Sequence, residues 1–385
     1  MIRVLLVIDD FEYGGAQRQV VELANGLDPA RFDVHVCALS EYVPLAQGLR
    51  DRERRLHVIP KRCTVDFTVV PRLARLLRRL RADIAHSYLF SADIAARLAG
   101  CLAGTPVVIG SERNTNYRLK KRNLWAYRLT RGCVDLIIAN SNAGAQFNSR
   151  TLGHSPAQYR VVHNGVDTAR FAPRDVEAVR GELGISPDEH VVGMFASLKP
   201  QKNHTLFFAT AKRILARLPN VRFLLVGDEL YGGLHGSDEY KRSMNRLIDE
   251  LGIRDWCLFC GNRNDVERLY PVCDVTALSS LYEGTPNVLL ESMACGVPVV
   301  ATDVSDNAYV APDGKVGYLV PIGDEVALAD RVCRLLEDQA LRAEMGRRAR
   351  AWIEEEFSTQ QLAKKTEAIY LEVLGTKLAE AAGHA

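Results

Sequence analysis

Short, unbroken apolar runs alternate with helix-length amphipathic stretches almost from end to end of this 385-residue chain, and that rhythm leaves few folds open. In the first half the runs fall at Ile2–Ile8, Val34–Leu39, Leu56–Ile59, Ile84–His86, Val107–Ile109, Leu136–Ala139 and Val161–His163. Helical patterns such as Ala16–Leu27 and Ala92–Leu102 lie between them. A strand that is apolar on both sides must be covered on both sides, which parallel sheets flanked by helices achieve. The rhythm then restarts with Val191–Phe195, a helix at about His204–Leu218, and strands at Phe223–Val226, Leu258–Cys260, Val275–Leu278 and Val297–Ala301. Between the halves, VVHNGVDTARFAPRD carries an Asn-Gly turn signal and a Pro, which puts a boundary near Thr168–Pro173. The expected fold class is α/β: two doubly wound Rossmann-like domains, residues 1–168 and 169–356, facing each other across a ligand-sized cleft. Residues 357–385 are expected to form a helix that crosses back to the first domain and frays from about Lys377.

The chain is too long for one average domain, and its 47% hydrophobic residues are enough for real cores. A net charge of +2 argues against a dedicated nucleic-acid binder. No apolar stretch approaches the roughly 20 residues of a membrane span. Met1-Ile2-Arg3 runs straight into a strand-sized apolar run and then Asp9-Asp10, unlike a signal peptide, so a cytoplasmic protein is expected. The nine cysteines are scattered among mostly apolar neighbours. Cys257 and Cys260 have CxxC spacing, but no second pair lies near them, and WCLFCGN reads as a strand and not as a zinc or redox site.

The densest chemistry lies in LYEGTPNVLLESMACGVPVVATDV. A strand ending near Ser279 feeds a Gly-Thr-Pro turn, and a helix starts at about Asn287, a residue type suited to an N-cap. A helix N-terminus with its unpaired N–H groups suits an anion such as a diphosphate. Glu283 precedes the turn and Glu291 follows inside the helix. Each carboxylate can accept hydrogen bonds from two neighbouring hydroxyls, as sugar recognition requires. An isolated glutamate pair would read as ordinary surface; the strand, turn, helix and Gly-Val-Pro around this one favour a site.

EGTPNVLLE resembles the paired-glutamate motif of retaining glycosyltransferases of family 4, which have the GT-B fold. Gly14-Gly15-Ala16 after the first strand, FASLKPQKNH after the first strand of the second half, and HNGVD at the hinge agree with it in order, over nearly the whole chain. The resemblance implies a nucleotide-diphosphate sugar as donor, held by the C-terminal domain, and an acceptor held by the N-terminal domain. It implies Glu291 on the nucleotide ribose and Glu283 on the donor sugar, with Gly284, Thr285, Pro286, Asn287, Val288 and Leu289 completing the donor motif. Gly15 and Lys202 would meet the diphosphate, and His86, ending the strand in DIAHSYLF, would lie close to the sugar. Catalysis would then fall to Glu283, His86 and Lys202.

Each of these residues also has a plain structural reading: a Gly-Gly turn, an exposed lysine, a histidine near a strand end. The family pattern has an arginine five residues before Lys202; here that position is Ser197, and Lys199 is the candidate second cation. Arg113 and Asn114 in GSERN follow a strand and are candidates for the acceptor. Asn262 and Arg263 follow a C-terminal strand and are candidates for the nucleotide base. No Asp-any-Asp triplet occurs, so no metal–diphosphate clamp, metal or cofactor is expected, and Lys202 with backbone N–H groups would stabilise the departing diphosphate. Retention could use a protein nucleophile or, as the resemblance implies, same-face attack with a donor phosphate oxygen taking the acceptor proton.

RDRERRLHVIPKRC with RLARLLRRLRAD, and RLKKRNLWAYRLTRG, are strongly basic. Leu73, Leu76, Leu77 and Leu80 share one helical face, with arginines around the rest. Such a helix either shows its arginines to water or faces anionic lipid or a lipid-linked diphosphate. The expected activity is transfer of a sugar to a glycan or lipid-linked acceptor in cell-envelope or exopolysaccharide synthesis, with peripheral contact at the inner membrane face. The rivals are a nucleotide-sugar epimerase of similar double-Rossmann build and a non-catalytic sugar-nucleotide-binding protein. A dinucleotide oxidoreductase fits less well, because GGAQRQ replaces the Gly-x-Gly-x-x-Gly run.

Overall fold

In the computed structural model, which describes every residue except 13, 64–65, 114–118, 229–236 and 384–385, each restart of the strand–helix rhythm becomes its own parallel sheet. Contacts divide the chain into one unit of Met1–Gly165 with Thr359–Ala385, and a second of Val166–Ser358.

The first unit holds seven strands: β1 Ile2–Ile8, β2 Phe32–Ala38, β3 Leu56–Val58, β4 Ile84–Tyr88, β5 Val107–Glu112, β6 Leu136–Ala139 and β7 Tyr159–Val161. They lie in the order β3-β2-β1-β4-β5-β6-β7, all parallel. Strand side chains alternate between faces, so Val4, Leu6 and Ile8 enter one core while Leu5 and Val7 enter another. The first core is closed by helices Gly15–Gly26 and Thr359–Gly383, through Leu23, Leu362, Ile369 and Tyr370. The second core is closed by helices Val69–Leu80 and Phe90–Ala103, through Leu73, Leu77, Ala92 and Ala96. The basic helix is thus amphipathic, with Leu76 buried and Arg75, Arg78 and Arg79 exposed.

The second unit holds β8 His190–Phe195, β9 Val221–Val226, β10 Cys257–Phe259, β11 Val275–Leu278, β12 Val299–Thr302 and β13 Gly317–Val320. Their order is β10-β9-β8-β11-β12-β13, again parallel. The strand order reverses between β8 and β11, where Val275 pairs with Val192. Crossover loops diverge at that point, and in doubly wound sheets this is where ligands bind.

Two expectations change. Strand β13 has no counterpart in the apolar pattern: at four residues it is too short to show a period, and a Cβ on Gly317 would lie 2.6 Å from the carbonyl oxygen of Val299. The closing helix continues past Lys377 to Gly383, with Lys377 Nζ 2.7 Å from Asp135. Extending an existing helix gains one hydrogen bond per residue fixed, so a few unpatterned residues can follow a well-packed start. Asn287 is not the N-cap: Pro286 holds that position and Asn287 begins the helix. No helix among the described residues is long and apolar enough to cross a membrane.

Candidate active site

Two loops leave the C-terminal ends of the neighbouring strands β8 and β11, and four hydrogen bonds stitch them together. Leu281 N–H donates to the Gln201 carbonyl at 2.8 Å, and Gln201 Nε2 donates to the Tyr282 carbonyl at 2.7 Å. Ser279 Oγ donates to the carbonyls of Lys202 and Asn203 at 2.9 and 3.0 Å. The Pro200–Lys202 turn therefore delivers Lys202 directly to the Glu283 loop. Asn203, which follows the turn and precedes helix His204–Arg217, takes a left-handed conformation at φ 48°, tolerable for asparagine.

Lys202 Nζ stands 2.5 Å from Glu283 Oε1, and Ser280 Oγ donates to the same oxygen at 2.6 Å. The next strand supports this arrangement. Thr302 Oγ1 donates to the Ser280 carbonyl at 2.6 Å, and Asn307 Nδ2 donates to the Thr302 carbonyl at 2.9 Å. Glu283 is only 6% exposed and Glu291 5%. Burying a carboxylate is costly unless charge or hydrogen bonds offset it, and both glutamates have such partners. Tyr270 Oη donates to Glu291 Oε2 at 2.7 Å, and the Tyr270 ring stacks on Phe195 at 3.8 Å between centroids. Gly284, Thr285 and Pro286 are buried between the two glutamates. Leu289 points into the core, so only its backbone is available to a ligand.

The remaining candidates are more dispersed. Lys199 is exposed, with its N–H donating to the Ser197 carbonyl at 2.8 Å. Asn262 Oδ1 accepts from Asp228 N–H at 3.0 Å, tying the loops after β9 and β10. The Arg263 guanidinium is committed to Asp265, with both bonds at 2.7 Å. A cavity of about 330 Å³ opens at the ends of β8 and β9, lined by Met194, Phe208, Leu225, Met244 and Ile248. Cys257 and Cys260 carry free thiols, and burial pushes the Cys257 thiol up to about 12. Among the described residues, no cluster of three or more His, Cys, Asp or Glu could hold a metal ion.

In the first unit Gly15 is exposed as the first residue of its helix. A Cβ on Gly14 before it would lie 2.2 Å from Gln17 Oε1. Gln19 on the same helix exchanges two hydrogen bonds with the backbone of Gly165, at 2.7 and 2.8 Å, anchoring the HNGVD segment. His86, the histidine expected beside the donor sugar, lies within β4 of the first unit. It is 1% exposed, with Nδ1 2.6 Å from Tyr370 Oη and Nε2 2.6 Å from Ser111 Oγ. Burial first, and then the Arg113 charge, lower its pKa to about 3. Both ring nitrogens are engaged, and the imidazole is neutral. Arg113 is half-buried, donates to Asn164 Oδ1 and lies over the Tyr88 ring at 5.5 Å. Asn114 lies outside the described residues.

Sequence reasoning did not find Tyr270, Ser280, Thr302, Asn307 or Gln19. All but Ser280 act on a partner distant in sequence or on the backbone. Only the Ser-Ser pair immediately before Leu281 offered a local hint of hydroxyl donors.

Both halves of the chain match known protein families. Residues 13–170 match the Glycosyltransferase Family 4 model and residues 175–352 the Glycosyl transferases group 1 model. The chain is 27% identical over 379 residues to UDP-Gal:alpha-D-GlcNAc-diphosphoundecaprenol alpha-1,3-galactosyltransferase of Escherichia coli, covering 94% of this chain and 95% of that one. It is 28% identical over 322 residues to N-acetyl-alpha-D-glucosaminyl L-malate synthase of Bacillus anthracis, covering 80% of each. The crystal structure of Anabaena HepE in complex with UDP-glucose matches in fold with a TM-score of 0.84 at 22% identity, covering 96% of this chain and 99% of that one. With both halves matched in order by glycosyltransferase models and the whole chain matched by such a fold, the chain belongs to the family 4, group 1 glycosyltransferases of GT-B fold.

Proposed function

We propose that this glycosyltransferase moves a hexose from a nucleotide-diphosphate donor to a glycan or lipid-linked acceptor, with retention of anomeric configuration and without a metal ion. The observation that carries this reading is the Lys202–Glu283 pair beside the buried Glu291, all in one unit and tied to neighbouring strand ends. A cation and two carboxylates of that kind match the two halves of a nucleotide sugar, phosphate charge and vicinal hydroxyls.

In the proposed reaction Glu291 accepts from the ribose hydroxyls and Glu283 from the donor sugar, while Lys202 turns from Glu283 toward the diphosphate. The bond from the anomeric carbon to the diphosphate oxygen breaks, and the acceptor hydroxyl bonds to that carbon on the same face. The acceptor proton passes to an oxygen of the departing diphosphate, whose charge Lys202 and backbone N–H groups stabilise. Lys199, Asn262 and Arg263 are proposed at the diphosphate and base, Gly15 at the diphosphate, and Arg113 and Asn114 at the acceptor. His86 holds Ser111 and Tyr370 in place and is proposed as a positioning residue.

The Escherichia coli relative is named for a diphosphoundecaprenol-linked acceptor, which supports a lipid-linked acceptor, a role in envelope or exopolysaccharide synthesis, and a cytoplasmic protein peripheral to the inner membrane face. The UDP-glucose complex of the Anabaena structure supports a UDP-sugar donor. The test is transfer from UDP-galactose, UDP-glucose, UDP-N-acetylglucosamine and GDP-mannose to a water-soluble GlcNAc-diphospho-lipid analogue, with and without EDTA. The expected product is α-linked by NMR, with a rate indifferent to EDTA. A β-linked product, loss of activity with EDTA, or sugar interconversion without acceptor would overturn the reading.

A further inference from the structure

Between Glu112 and Asp135 the chain has seven Lys or Arg and no Asp or Glu, and between Asp66 and Asp83 it has five Arg and no acid. The two stretches form helices Lys121–Leu129 and Val69–Leu80. Both lie on one side of the first unit's sheet. Leu73 and Leu77 of the longer helix share a core with Ala92 and Ala96 of helix Phe90–Ala103. Tyr127 of the shorter helix packs on Phe90 of that same helix at 5.3 Å, with the Arg97 guanidinium 5.0 Å from its ring. Arg78 donates to the carbonyl of Leu102 near the end of helix Phe90–Ala103.

What helix Lys121–Leu129 turns outward is unusual. Tyr127 is buried and anchors it, yet Trp125 is 60% exposed and Leu129 80%. Four residues apart on a helix, these two side chains are neighbours. Leu102 adds a third exposed apolar side chain at 51%. Around them stand exposed Lys120, Lys121, Arg122, Arg128 and Arg131, none of which forms an ion pair among the described residues. An exposed aromatic and aliphatic pair on one helix, with uncompensated cations before and after it in the chain, satisfies both terms of binding to an anionic bilayer: apolar insertion and attraction to headgroups. Nucleic acid would use the cations but not the leucines, since aliphatic side chains offer bases no stacking surface.

We propose that this face docks on an anionic lipid bilayer, with Trp125 and Leu129 inserted at headgroup depth and the flanking cations on the lipid phosphates. The proposal rests on the peripheral membrane position proposed above and gives it a surface. The test is flotation of the full-length protein with phosphatidylcholine vesicles, with and without phosphatidylglycerol, at low and high salt. Wild type floats only with the anionic vesicles at low salt, and its tryptophan emission shifts to the blue. Each cation near such a surface contributes about fivefold to partitioning, so K121E/R122E lowers the partition coefficient by more than tenfold. W125A/L129A lowers it as well and removes the blue shift, while K315E on the second unit leaves it unchanged. Both double variants keep full transfer to the water-soluble acceptor, which separates failure of docking from failure of the transferase reading. Flotation that is absent, equal with neutral vesicles, or unaffected by K121E/R122E overturns the proposal, as does binding to duplex DNA without flotation.

Discussion

The Lys202–Glu283 pair invites a double-mutant cycle, because its environment sets how much it contributes. The side chains are 16% and 8% exposed and the atoms 2.5 Å apart. That places the pair between an exposed ion pair, at most about 1 kcal/mol, and a fully buried one, where loss of one partner costs about 3–5 kcal/mol. Lys202→Met removes the charge and keeps the stem, leaving Glu283 with the Ser280 hydroxyl; a cost of about 2 kcal/mol follows. Glu283→Gln leaves the ammonium against a neutral amide, also at about 2 kcal/mol. With both charges gone no uncompensated ion remains, so the double variant costs about 2 kcal/mol and not the additive 4, a coupling of about 2 kcal/mol. Urea melts of the four proteins, monitored by Trp256 and Trp352 emission in the second unit, measure the cycle. Single variants that each cost under about 0.5 kcal/mol, or effects that simply add, would show that the pair is a surface contact and that the stitched loops do not hold it in place.

Tyr270→Phe keeps the ring stacked on Phe195 but removes the donor to Glu291 Oε2. A hydrogen bond to a buried carboxylate contributes about 1.5–3 kcal/mol, so UDP affinity by calorimetry should fall about tenfold while the fold persists; an unchanged Kd would mean Glu291 needs no such support. Acid lability should trace partly to His86, whose pKa of about 3 lies below the ordinary histidine value of 6.5. The unfolded chain binds a proton below 6.5 that the native chain refuses. The native advantage is therefore complete above 6.5 and is lost as pH falls toward 3, by about 2 kcal/mol at pH 5. His86→Gln should lose less stability between pH 8 and pH 5 than wild type by about that amount in urea melts, and equal losses would refute the assignment.

The paired glutamates were legible because their turn, helix and spacing are local: nine consecutive residues carry the pattern. Lys202 was legible as a site residue, but its pairing with Glu283 and the hydroxyl and amide supports were not. Lys202 reaches Glu283 across 81 residues, and Ser279, Thr302 and Asn307 act largely on backbone carbonyls, for which no residue pattern is required. His86 shows the converse. Its place at a strand end was readable, but its enclosure depends on Tyr370, 284 residues later. The Asn287 cap failed for a smaller reason: Pro286, whose fixed φ suits a helix entry, took the cap position one residue earlier.

By itself the order of residues determined the two parallel sheets, because apolar runs of strand length can be buried only when helices cover both faces. It also determined the reaction class, through a motif short enough to be read along the chain. Tertiary structure alone decided which charges meet, which histidine is sealed from solvent, and which apolar side chains are left facing outward. Those outcomes depend on side chains brought together from distant segments, and no local period in the sequence records them.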